Sequence, residues 1–179
     1  MRTLITSALI FFATTAVVQR GPAPPRLVLS STAWMDGAKL PEKYAGMGGS
    51  PPLEWTNVPN NAVSFALILH DGNGAPQATS WDPVHWMLWN IPAAARRLAE
   101  NAPEGMKLPD GTNQGKNFGG TYAYRGSNPP PGDVHHMIFD FYALDQQLAL
   151  SPDATRADLM KAMDGHVIGR TVLIATYQK

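Results

Sequence analysis

Two apolar runs constrain this chain more than anything else in it. Ser64 to Asp71 (SFALILHD) and Val84 to Ile91 (VHWMLWNI) carry bulky apolar side chains at both odd and even positions. A strand can hide both parities only inside a sheet that is covered on both faces. Each run is therefore expected to form a strand buried on both faces. Val134 to Leu144 (VHHMIFDFYAL) is the longest further strand candidate, and Thr171 to Tyr177 (TVLIATY) is a fourth. Leu27 to Ser31 is a short β-prone run, with Asp36-Gly37 as a turn pair after it. A length of 179 residues gives room for one domain with a substantial core and hardly for two. Gly and Pro at 16 each favour many short elements joined by shaped loops, which excludes coiled coils and helical repeats.

One helix is well signalled. Thr155 followed by Asp158 resembles a capping box; Leu159, Met160 and Met163 form an apolar face, and Gly165 is placed to end the helix. Ala93 to Glu100 is expected to form a second, shorter helix. Pro103 to Gly132 shows almost no periodicity, and its Gly, Asn and Tyr content favours an ordered, working loop.

The N-terminus reads as an export signal. Met1-Arg2-Thr3 supplies one positive charge, Leu4 to Val18 is uncharged and largely apolar, and Gln19 to Pro25 stops the run. That pattern is a signal peptide over residues 1–18, with an uncleaved membrane anchor as its rival and a buried N-terminal element as the third reading. A periplasmic or secreted protein is expected, touching a membrane only if the segment stays attached. Cys is absent, which removes disulfide scaffolds, thiolate metal sites and cysteine nucleophiles. The 14 Lys and Arg balance the 14 Asp and Glu, so binding nucleic acid through bulk positive charge is disfavoured.

Histidines carry most of the remaining chemical information. His70 and Asp71 close one predicted strand, His85 lies near the start of the next, and His135-His136 open a third. One edge of a sheet can gather such positions into a single site. Because adjacent strand residues alternate, only one of His135 and His136 can enter a given pocket. The same alternation sends His85 and Trp86 to opposite faces. Trp81, Trp86 and Trp89 read as core or pocket wall, and His166 as a capping or surface residue. The chain lacks G-x-S-x-G, H-E-x-x-H, P-loop and G-x-G-x-x-G motifs. A metal site from Asp71, His85 and His135 is chemically possible but has no spacing signature.

Four motifs in order point to a family. Ser50-Pro51-Pro52-Leu53-Glu54-Trp55 fits S-P-x-L-x-W, and a strand ending in Asp71 leads to Ala75-Pro76. His85-Trp86 with Asn90-Ile91-Pro92 fits H-W-x-x-x-N-[IL]-P. Tyr124 to Gly132 followed by His135 fits Y-x-G-x-x-P-P-x-G…H. From about Trp34 to Tyr177 the chain resembles the phosphatidylethanolamine-binding protein family, also called Raf kinase inhibitor-like proteins, in its bacterial branch.

The resemblance implies a mainly β domain over residues 26–179. It would have a large central antiparallel sheet, a smaller second sheet and one or two peripheral helices. It also implies a small pocket for an anion or phosphorylated headgroup. By position, Asp71 matches the first Asp of the family's D-P-D-A-P loop, His85 the His of its H-W strand, and His135 that of its final G-x-H-R element. Gly126, Asn128 and Pro130 lie on the matching rim loop. The chain departs in the first of these, where Asp71-Gly72-Asn73-Gly74 inserts a Gly and puts Asn73 in place of the second acid. It departs again where His136-Met137 replaces Arg-Tyr.

The expected function is a secreted, non-enzymatic binding protein with Asp71, Asn73, His85, Gly126, Asn128, Pro130 and His135 as its ligand-binding residues. No cofactor is called for. It would bind a small anion or phosphorylated headgroup and act through a protein partner. An inhibitor of a protease or kinase-like partner, working through loops such as Pro103 to Gly132, is the first alternative. A metal-dependent hydrolase using His85, His135 and Asp71 is the second.

Overall fold

The computed structural model describes residues 26–74 and 82–179. The predicted signal segment, Ala75-Pro76 and Trp81 lie outside the described residues. Nine strand and helix segments follow in chain order: β1 (Val28–Ser30), β2 (Leu53–Thr56), β3 (Ser64–Asp71), β4 (Val84–Pro92), β5 (Arg97–Leu98), β6 (Asn113–Gln114), β7 (Val134–Leu144), α1 (Arg156–Met163) and β8 (Val167–Gln178). A single 3₁₀ turn spans Glu42–Tyr44.

The architecture is mainly β, with two antiparallel sheets. The large sheet runs β6-β4-β3-β7-β8, and the small one runs β1-β2-β5. β3 lies at the centre of the large sheet and is buried along its whole length, as its two-sided apolar pattern requires. One face, carrying Phe65, Leu67, Leu69, Phe139 and Phe141, packs beneath Leu29, Leu53, Trp55 and Leu98 of the small sheet. The other, carrying Ala66, Ile68, Met87 and Trp89, is covered by Leu148 and by Leu159 and Met163 of α1. Each fully buried Leu or Phe in these layers contributes about 1.5–3 kcal/mol of hydrophobic stabilisation.

α1 forms where its capping signal places it. The Asp158 N–H donates to Thr155 Oγ1 at 3.2 Å, and the Thr155 N–H donates to Asp158 Oδ2 at 2.9 Å. Gly165, just beyond the helix, has φ +79°, which only a residue without a side chain adopts cheaply. The second expected helix is absent: Ala93 to Glu100 turns instead, and Arg97–Leu98 pairs with Glu54 and Leu53 as an edge of the small sheet. The Arg96 guanidinium donates to the carbonyls of Ala93 and Ala95, closing that turn. Burial of Leu98 against the small sheet outweighs the helix propensity of the alanines.

The alternation expected for His85 and Trp86 also fails, for a specific reason. β3 and β4 pair Leu69 with Trp86 and His70 with Val84, so His85 is an extra residue in a β-bulge. A bulge sets two residues against one and re-aims the side chain it carries. Trp86 packs in the cluster beneath the small sheet, on the face that Asp71 also shares, and His85 turns to the same side. Among the described residues no helix is long and apolar enough to cross a membrane.

Candidate functional site

β3 ends, and β4 and β7 begin, at one end of the large sheet. Asp71, His85 and His135 come from these three termini and meet there, on the small-sheet side. Asp71 Oδ2 accepts the Nδ1–H of His135 at 2.6 Å, and the Nε2 of His85 stands 3.9 Å from the same oxygen. Asp71 Oδ1 accepts the backbone N–H of Asn73 at 3.0 Å. Asp71 and His85 are nearly buried, at 3% and 4% exposure, and the His135 ring is half-buried.

These groups open onto a cavity of about 500 Å³. Gly74, Pro83 and Phe118 form part of its wall, and Arg125, Gly126, Asn128, Pro129 and Pro130 form the rim loop. Six of the seven residues expected at a site, namely Asp71, His85, Gly126, Asn128, Pro130 and His135, line it. Asn73 is not among the described residues that do. Its Oδ1 accepts the backbone N–H of His136 at 3.0 Å and lies 2.7 Å from the His136 ring. The two neighbouring histidines thus part as alternation requires, His135 to the cavity and His136 to Asn73.

The irregular stretch from Pro103 to Gly132 is ordered by backbone pairing. The Arg125 N–H donates to the His85 carbonyl at 3.0 Å, and the Gly126 N–H to the Gly46 carbonyl at 2.8 Å. Gly126 sits so close to the 3₁₀ turn that a Cβ there would fall 2.1 Å from the Tyr44 carbonyl oxygen, so the loop tolerates no side chain. These two loop N–H groups are therefore already engaged.

Arg125 and Phe118 are lining residues that the sequence reading did not single out. The Arg125 guanidinium lies 4.8 Å from the centre of the Phe118 ring, and the His85 ring lies 4.8 Å from the same ring, tilted by 54°. Among the described residues no carboxylate forms an ion pair with Arg125. Arg125 lies inside the Tyr124-Arg125-Gly126 motif, which was the available signal. Phe118 is half exposed in a Gly-rich loop.

His85 has a fixed proton arrangement. Its Nδ1 stands 2.7 Å from the Arg125 carbonyl oxygen, which can only accept, so Nδ1 carries the hydrogen. In the neutral ring Nε2 is then an acceptor. Burial pushes the His85 pKa below the ordinary histidine value; hydrogen bonding to Arg125 and the charge of Asp71 oppose this and do not overcome it. The cavity thus contains one cation on Arg125, one carboxylate already bonded to His135, and a buried neutral imidazole.

No group of three or more His, Asp or Glu among the described residues is arranged to hold a metal ion.

Residues 30–178 match the family model for phosphatidylethanolamine-binding proteins. The chain belongs to this family. A relative from Methanothermobacter thermautotrophicus, described as a UPF0098 protein, is 44% identical over 153 residues, covering 84% of this chain and 98% of its own. The UPF0098 protein YbhB of Escherichia coli is 34% identical over 152 residues, covering 80% and 89%. The crystal structure of a putative phosphatidylethanolamine-binding protein homologue from Chlamydia trachomatis superposes with a TM-score of 0.75 at 34% identity, covering 86% of this chain and 98% of that one. Escherichia coli YbcL, described as a member of the mammalian family, gives 0.78 at 28% identity, covering 87% and 99%. The two-sheet architecture with one helix is that of these phosphatidylethanolamine-binding proteins, and the chain is of their bacterial and archaeal type.

Proposed function

We propose that this protein is an exported, non-enzymatic binding protein whose cavity takes a small anion or a phosphorylated headgroup and presents it to a protein partner. The observation that carries the reading is Arg125. Its guanidinium, without a carboxylate partner among the described residues, lines the cavity with two imidazoles and Asn128. Guanidinium groups match oxyanions in charge and fork geometry. Among the described residues that line the cavity there is no hydroxyl, thiol or amine side chain for either imidazole to activate. Export rests on the uncharged run from Leu4 to Val18 behind Arg2. The exposed Phe118 ring at the rim supports a partner that senses whether the cavity is filled.

Calorimetric titration of inorganic phosphate and of phosphoethanolamine into the wild-type protein and Arg125→Gln tests the reading. Saturable binding at one site per chain, weakened about tenfold in the variant, is expected. No binding of either ligand, or equal binding to both proteins, overturns it.

A further inference from the structure

The Nε2 of His85 and the Oδ2 of Asp71 face each other at 3.9 Å, beyond hydrogen-bond range. Both are acceptors. The carboxylate oxygen has no hydrogen to give, and the His85 proton sits on Nδ1, held by the Arg125 carbonyl. Asp71 Oδ2 is partly satisfied by His135, but Nε2 has no hydrogen-bond partner among the described residues. Both residues line the cavity and are nearly fully buried. An anion entering this pocket would meet lone pairs on its inner side and the Arg125 cation on its outer side.

Resting on the anion-binding reading above, we propose that the cavity selects oxyanions that bring their own acidic proton, hydrogen phosphate above all, over fully deprotonated ones. The ligand's P–O–H would donate into the gap between Nε2 and Oδ2 while its charged oxygens face Arg125. No covalent bond changes; one proton is shared across a hydrogen bond. A ligand with no proton leaves two cavity-facing acceptors against an anion, an arrangement a polar site disfavours. Such a ligand binds well only after His85 takes a proton from solvent, which converts Nε2 into a donor. The charged and titratable groups facing His85 are Asp71 from β3, His135 from β7 and Arg125 from the rim loop. Asp71 favours that protonation, Arg125 opposes it, and burial holds the ring neutral at neutral pH.

Sulfate, inorganic phosphate and methyl phosphate separate the possibilities. At pH 8 inorganic phosphate retains a proton, methyl phosphate with a second pKa of about 6 has lost it, and sulfate has none. Calorimetry on the full-length protein should show phosphate binding about tenfold or more tightly than either of the others at pH 8. Lowering the pH to about 5.5 should raise sulfate affinity about tenfold, because sulfate itself does not titrate and His85 does. His85→Asn, which keeps a polar side chain without a titrating ring, should leave sulfate affinity flat across that range. Equal binding of all three at pH 8 would overturn the selectivity while leaving the anion site intact. A sulfate pH dependence that survives in His85→Asn would move the proton to another group and overturn the assignment. Failure of all three ligands at both pH values rejects the anion reading itself.

Discussion

His70 and Asp71 are consecutive, yet each anchors a different histidine–carboxylate cluster on a different face of the same sheet. On the α1 side, His70 Nδ1 lies 2.8 Å from Asp82 Oδ2, and Nε2 lies 3.2 Å from Asp140 Oδ2. The Arg170 guanidinium then donates to Asp140 Oδ1 at 2.9 Å and stacks above Tyr142. Both ring nitrogens and both Asp140 oxygens have partners. Burial opposes the charge on Asp140, but hydrogen bonds from His70 and Arg170 outweigh it and hold the carboxyl below its usual range. On the small-sheet side, the Asp71 cluster leaves His85 Nε2 and the Arg125 guanidinium open toward the cavity. The residue types are nearly the same. Closure of the hydrogen bonds, rather than composition, separates the cluster that holds the fold from the one free to meet a ligand.

The contrast is easiest to break at Asp140. Asp140→Ala strands the buried His70 ring and releases Arg170, and should cost about 3 kcal/mol of stability, read from the urea midpoint. The folded variant should bind phosphate as the wild type does. A loss below about 1 kcal/mol, or weakened phosphate binding by folded protein, would erase the division between the two clusters.

Asp71→Asn should do the reverse. The amide fits the same space and can still orient His135, so about 1 kcal/mol of stability is at stake. It replaces an acceptor facing the ligand with a group that can donate. The ratio of phosphate to sulfate affinity at pH 8 should therefore fall about tenfold. A large stability loss with an unchanged ratio would class Asp71 with Asp140.

How far this division could be read from the sequence depends on the range of each interaction. β3 and β7 have the bounds that their apolar patterns mark, Ser64–Asp71 and Val134–Leu144; burial reaches every residue of β3 and every residue of β7 from Phe139 onward. β5 and β6 pair over two residues each and exist only because a partner strand is there, so nothing local announces them. The convergence of Asp71, His85 and His135 was legible through motif order and strand ends. The bulge that turns His85 was not, since it arises from the register between β3 and β4. The His70 cluster was equally hidden: Asp82 and Asp140 reach His70, and Arg170 reaches Asp140, from three other places in the chain, and only the folded chain brings them together. Asn73 misled because its motif position is a loop site whose side chain turns to His136.

The smallest expected effect concerns acid. His85 has a folded-state pKa below its unfolded value of about 6.5, so the native protein prefers the neutral ring. Above that pH both states hold the ring neutral and its contribution to stability is fully present. As pH falls below about 6.5, the unfolded chain takes up the proton first and stability declines, by at most about 1.4 kcal/mol per pH unit for one group. Other titrating groups add their own slopes, so the informative quantity is the difference between wild type and His85→Asn, each unfolded in urea at pH 7.5 and at pH 5. The wild type should lose more stability than the variant over that interval. Saturating sulfate should shrink the wild-type loss, because the bound anion stabilises the protonated ring, and should leave the variant's loss unchanged. Asp140→Asn, on the closed cluster, keeps His85 and should respond to sulfate as the wild type does. A sulfate effect of equal size in wild type and His85→Asn would mean that the open cluster does not take its proton at His85.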